Sequence, residues 1–208
     1  MPKKLNIEKD VETHFGGNLQ TELLDFINFL KDESFKLPKQ PTANNISYWV
    51  GFMGNCVGRF TFHGTSKARD SGWHNFIPHV SFGTWWGYTP EVLNYMDDSD
   101  FKKEFIETTI AKTIESKCRK CNDKSECSRT RGKTVNIAGE LHHNNCRDSF
   151  RLYFMSSPDT MQVMSTSKGD DWWTPESMGE NLVSLDAIKQ MLLARKAYLV
   201  QKNKDSNA

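Results

Sequence analysis

The sequence predicts an α+β fold in which a small, mostly antiparallel sheet packs against helices. Three observations lead there. Apolar residues recur at helical spacing in three stretches, around residues 19–32, 101–114 and 185–199. β-rich runs cluster between residues 46 and 87 and again after 133, and no regular βαβα alternation links them. A chain of 208 residues suits a single domain, 1–208, and six Trp with thirteen Phe give it enough apolar mass for a core.

After a charged N-terminal arm, Leu19, Leu23, Phe26, Ile27 and Leu30 share one face, which predicts a helix over about 19–32 with Asn18 as cap and Pro38 as stop. "ISYWVGF" and "CVGRFTFHG" follow as a strand pair around Gly54-Asn55, a Gly-first dipeptide suited to a type II′ hairpin. "WHNFIPHVSFG" predicts a third strand, kinked or placed at an edge by Pro78. Thr89 then caps a helix start at Pro90, and Phe101, Phe105, Ile106, Ile110 and Ile114 mark a helix that leads into Cys118. "KTVNIAG" and "SFRLYFMS" read as two further strands joined by a connection from Gly139 to Cys146. From Ser184 onward, Leu185, Ile188, Met191, Leu192 and Leu199 define a C-terminal amphipathic helix, with 200–208 as a frayed polar tail.

The segment "CRKCNDKSEC", residues 118–127, holds three of the five cysteines. Cys118 and Cys121 form a Cys-x-x-Cys knuckle, which offers two thiolates from one tight turn to a tetrahedral zinc ion. Cys127 lies six positions beyond Cys121 and Cys146 nineteen beyond Cys127, so four thiolates fall within 29 residues. His142 and His143 are alternates for the fourth ligand. A dithiol redox couple is less favoured, because such motifs open a helix after a strand whereas Cys118 is expected to follow a helix. In its spacing, "CRKCNDKSEC" followed by "GKTVNIAGELHHNNC" resembles a zinc ribbon, with one cysteine where ribbons carry a second knuckle. The resemblance implies a structural Zn and a small subdomain over 117–147, and it carries no activity with it.

Two other features bear on partners. Between Lys117 and Lys133 seven Lys or Arg face two acids, a local excess of five positive charges in a chain whose total is +1. Such a cluster attracts phosphate, yet it also balances the negative charge of a zinc–thiolate centre, and a pI near 7.6 falls short of a strongly basic nucleic-acid binder. The second feature is the aromatic middle, where Trp49, Phe60, Phe62, Trp73, Phe76, Trp85, Trp86 and Tyr88 interleave with His63, His74 and His79. Aromatics at strand spacing fill cores more often than they line pockets, but Trp49, His63, Trp73, His79, Trp85 and Trp86 are the candidate ligand-binding set.

The N-terminus shows no secretory h-region, and no uncharged apolar run approaches the roughly 18 residues needed to cross a bilayer. A cytoplasmic protein without a membrane partner is therefore expected, and in that compartment clustered cysteines bind metal more readily than they form bridges. Phosphate-loop, HExxH and GxSxG signatures are absent, so no catalytic residue is assigned. The leading expectation is a zinc-stapled binding or interaction module for an unknown small molecule or protein. The alternatives are a small-molecule sensor or enzyme using residues 49–88, and a nucleic-acid-associated protein using residues 117–133.

Overall fold

The computed structural model describes residues 7–40, 46–63, 79–84, 88–97, 99–110, 133–137, 139–145, 150, 152–156 and 183–206. Two helices open the chain, α1 (Ile7–His14) and α2 (Gly17–Asp32). The first lies in the stretch expected to be a charged arm. Its two buried residues, Ile7 and Val11, are one turn apart, and the Lys31–Glu8 ion pair ties it to α2. Helix α2 starts after Gly16, so Asn18 is inside the helix rather than its cap. It ends well before Pro38. Ser34 turns left-handed at φ 63°, its N–H donates to Lys31 O at 2.8 Å, and the Phe35 N–H donates to Leu30 O at 2.8 Å. This is a Schellman ending built on Ser34, with Phe35 buried behind it.

The chain divides into two compact units, one of Met1–Thr84 with Tyr153–Leu185, the other of Trp85–Leu152 with Asp186–Ala208. The first unit contains a five-stranded sheet of β1 (Lys39–Gln40), β2 (Ile46–Phe52), β3 (Asn55–His63), β4 (His79–Thr84) and a short strand, Tyr153–Met155, called β7 below. Its order is β1-β2-β3-β4-β7 and every pairing is antiparallel, so the expected mostly antiparallel α+β architecture is present. Edge strands of two and three residues leave little unpaired backbone at either side. The β2–β3 turn is Met53-Gly54, with φ of 48° and 78°, one residue earlier than expected. Positive φ at both central positions makes it the type I′ form, whose twist matches the strands. Beyond it Val50 pairs with Gly58 and Gly51 with Cys56, leaving Val57 as an extra residue in a bulge.

Strand alternation gives this sheet two chemically different faces. Tyr48, Val50, Phe60, Phe62, Val80 and Phe82 are fully buried on the inner face. Helices α1 and α2 and the link between them cover it: Phe15 of the link meets Phe62 edge-on at 5.5 Å, and Phe26 of α2 packs on Phe60 at 5.7 Å and Phe82 at 5.4 Å. Each such ring contributes about 1.5–3 kcal/mol by leaving water, and the tilted and T-shaped contacts add to that. The inner aromatics of the Trp/Phe-rich middle are therefore core.

In the second unit a 3-10 helix, Pro90–Tyr95, follows Thr89, which supplies no side-chain cap. Helix α3 (Asp100–Phe105), capped by Ser99 Oγ accepting from the Lys102 N–H, continues as a π-helical turn, Ile106–Ile110. Strands β5 (Lys133–Ile137) and β6 (Glu140–Asn145) form a two-stranded hairpin through Gly139 at φ 97°. The stretch expected as a connection thus begins as a strand. The Tyr88–Phe150 bridge and helix α4 (Leu185–Ser206) complete the described part. In α4, Leu185, Ile188, Met191, Leu192 and Leu199 are buried as their spacing predicts. The helix also runs through the expected frayed tail as far as Ser206. Local pairs account for this: Gln201 Nε2 donates to Asp205 Oδ1 at 2.7 Å, and Lys202 lies over the Tyr198 ring at 5.8 Å.

Candidate functional site

The outer face of the five-stranded sheet carries polar and aromatic side chains in cross-strand rows. Register aligns Trp49, Arg59, Gly83 and Tyr153 in one row, on β2, β3, β4 and β7 in turn. Ser47, Thr61 and Ser81 form the next row, and beyond it the backbone register sets His63 opposite His79. Trp49 is 39% exposed, while Arg59, Gly83, Ser81 and Tyr153 are half-buried.

Arg59 is fixed by its neighbours. Its Nε donates to Ser47 Oγ at 2.7 Å, and Ser47 Oγ in turn donates to Phe60 O at 3.1 Å. Ser47 is fully buried and Thr61 Oγ1 lies 3.4 Å from its hydroxyl, so the network holding the guanidinium is closed at its base. Among the described residues no salt bridge to a carboxylate is made by Arg59. No acidic side chain stands in either row. Gly83 stands between Arg59 and Tyr153 in the row, and Ser47 and Thr61 in the next row are buried.

Of the sequence-predicted ligand residues, Trp49 lies on this face, and the register brings His63 opposite His79. Trp73, Trp85 and Trp86 lie outside the described residues, as does His74. Arg59, Gly83 and Tyr153 were missed. Alternation in "SYWVGF" and "GRFTF" places Trp49 and Arg59 on a common face, but only the β3–β4–β7 register adds the other two.

Cys118, Cys121, Cys127 and Cys146 lie outside the described residues, and the remainder show no zinc-ribbon module and no group of three or more His, Cys, Asp or Glu placed to hold a metal. The two alternates separate. His142 pairs with buried Val135, while exposed His143 places Nδ1 3.1 Å from Thr134 Oγ1 on the other face of the hairpin. A single metal site can therefore recruit only one of them.

Three further clusters have structural roles. Asp10 Oδ2 accepts from Tyr48 OH at 2.5 Å and from Lys39 Nζ at 2.7 Å, joining α1 to β1 and β2. Burial, with the Asp10 carboxylate adding to it, pushes the Tyr48 phenol above its ordinary range and keeps it a neutral donor. Burial likewise raises the Cys56 thiol, against the opposing pull of Arg59, and its Sγ donates to Gly58 O at 3.4 Å. A thiol held protonated is a poor nucleophile. In the second unit the Arg195 guanidinium sits between the Tyr88 ring at 5.2 Å and the Tyr198 ring at 5.0 Å, and its buried Nε has no hydrogen-bond partner among the described residues.

Among the described residues no helix is long and apolar enough to cross a membrane. No protein-family model, curated protein or solved structure matches the chain.

Proposed function

We propose that the chain is a ligand-binding module whose binding surface is the outer face of the five-stranded sheet, stapled elsewhere by a structural zinc. The observation that carries the binding role is the row of Trp49, Arg59 and Tyr153, in which a cation anchored on Ser47 shares a face with partly exposed aromatics. Small-molecule sites combine apolar walls with a few fixed polar groups in this way. The test is a thermal-shift panel of small metabolites on the full chain and on Trp49→Ala. A ligand whose shift is lost in the variant supports the role, and a panel in which every shift survives in Trp49→Ala removes it.

The zinc staple rests on the spacing of Cys118, Cys121, Cys127 and Cys146 and gains support from the β5–β6 hairpin. That hairpin returns Asn145 opposite Lys133, so the chain next to Cys146 comes back beside the strand that follows Cys127. Bound zinc would fix the thiolates at about 2.3 Å and make folding of the 118–146 segment metal-dependent. Metal analysis of protein purified reduced and without chelator should return about one zinc per chain. Cys118→Ser should lower that value and Cys56→Ser should not, and a zinc-free preparation would end this part of the proposal.

A further inference from the structure

We infer that α1 is a hinged cover, latched by Asp10, that opens while the rest of the first unit's sheet and α2 stay folded. The hinge comes first. Phe15, Gly16 and the first residue of α2, Gly17, join the two helices. Both glycines are exposed, a Cβ on either would meet nothing within 4 Å, and Gly17 stands at φ 59°, where glycine is unstrained. At these two positions no side-chain packing resists rotation of the backbone.

The hold is slight for the length of chain it orders. Ile7 and Val11 are the buried residues of an eight-residue helix, and Phe15 adds a third apolar side chain, against the entropy of fixing the whole segment. An isolated helix of that length is unstable in water, so α1 is helical because it is docked. In α2, by contrast, Leu23, Phe26, Ile27 and Leu30 are all fully buried, and Phe26 covers Phe60 and Phe82 whether or not α1 is in place. Two carboxylates supply the rest of the hold. Asp10 Oδ2 accepts from the Tyr48 hydroxyl and the Lys39 ammonium, and Glu8 pairs with Lys31. Charge-assisted hydrogen bonds to part-buried partners are strong, whereas an ion pair to a half-exposed lysine adds little, so Asp10 is the latch. Opening lifts Phe15 from Phe62 and frees the Tyr48 hydroxyl, so the closed form hides one end of the inner face and the open form presents it.

The experiment is native-state hydrogen exchange on the full chain in rising, sub-denaturing urea. The amides of residues 11–15 should be protected about 100- to 1,000-fold with little urea dependence. Those of residues 23–30 in α2 should be protected about 30-fold or more beyond that, with the urea dependence of global unfolding. Gly16→Ala suits the φ of −141° at that position and should slow α1 exchange about two- to fivefold by restricting the open form. The double variant Asp10→Ala/Val11→Asn removes both the latch and a buried contact. Its α1 amides should exchange as in an unfolded chain while those of α2 and β3 stay protected. Equal protection and equal urea dependence in α1 and α2 overturn the inference. So does a double variant in which α2 and β3 lose their protection together with α1, and so does a Gly16→Ala chain whose α1 exchanges no more slowly than the parent.

Discussion

Replacing Gly58 with alanine places a methyl carbon 2.4 Å from Phe82 Cζ and 3.1 and 3.2 Å from its two Cε atoms. Nonbonded carbons prefer about 3.5–4.0 Å, so the ring must retreat by about 1 Å or more. It has nowhere easy to go. Phe82 is fully buried, with Phe26 edge-on at 5.4 Å and Phe60 at 5.7 Å. Overpacking a core costs about 1–3 kcal/mol, and the reduced freedom of the unfolded chain returns roughly 0.4–1 kcal/mol. The net expectation is a loss of about 1–2 kcal/mol, read as a lower urea midpoint at unchanged slope by near-ultraviolet circular dichroism. Phe82→Leu removes the colliding atoms at its own cost. Alanine at 58 should then be nearly free, giving a coupling of about 1 kcal/mol between the two changes. A single variant within about 0.5 kcal/mol of the parent, or an additive double variant, would refute the packing argument.

Tyr48→Phe should cost about 1.5–3 kcal/mol by removing a hydrogen bond to the Asp10 carboxylate, measured by urea melts at pH 7. The phenol's raised pKa means that its stabilisation is complete below about pH 10 and drains as pH rises past the unfolded-chain value. Tyr48→Phe should therefore flatten the alkaline stability slope, and an unchanged slope counts against the cluster. Ser34→Gly should raise stability by about 0.5–1 kcal/mol, since glycine carries no penalty in the left-handed conformation that ends α2; a lower melting midpoint would contradict this. Arg195→Ala should cost about 1–2 kcal/mol of cation–π contact. Arg195→Met should cost less, because it fills the space and removes the orphaned Nε, and thermal melts that rank the two in reverse would contradict that view.

The sheet centre was legible because Tyr48, Val50, Phe60 and Phe62 alternate with Ser47, Trp49, Arg59 and Thr61, a period-2 pattern that separates core from outer face. Strand β6 was not. "ELHHNN" has few β-formers, and its Leu141 is 60% exposed, so the strand exists because β5 needs a backbone partner. The helix α1 escaped notice for the opposite reason, since two buried residues among six polar ones do not make a readable stripe. The β2–β3 turn was displaced by one because methionine is a poor indicator of positive φ, although the Gly54 next to it was found. As for the site, Trp49 stood out by type. That Arg59 and Gly83 stand side by side is a property of strand register and of no local segment.

Strand β7 is hydrogen-bonded to β4, with Phe154 opposite Phe82, yet the whole of the second unit's first segment, Trp85–Leu152, lies between them in the chain. During synthesis the N-terminal elements emerge first, and β4 can pair with β3 long before residue 153 exists. Until then the nascent sheet ends in β4, a six-residue strand with one row of backbone groups unpaired. The first unit thus finishes only after most of the second has been made. A chain truncated before residue 153 would lack the cover for that edge, and a stalled ribosome would display an adhesive strand rather than a smaller version of the same protein.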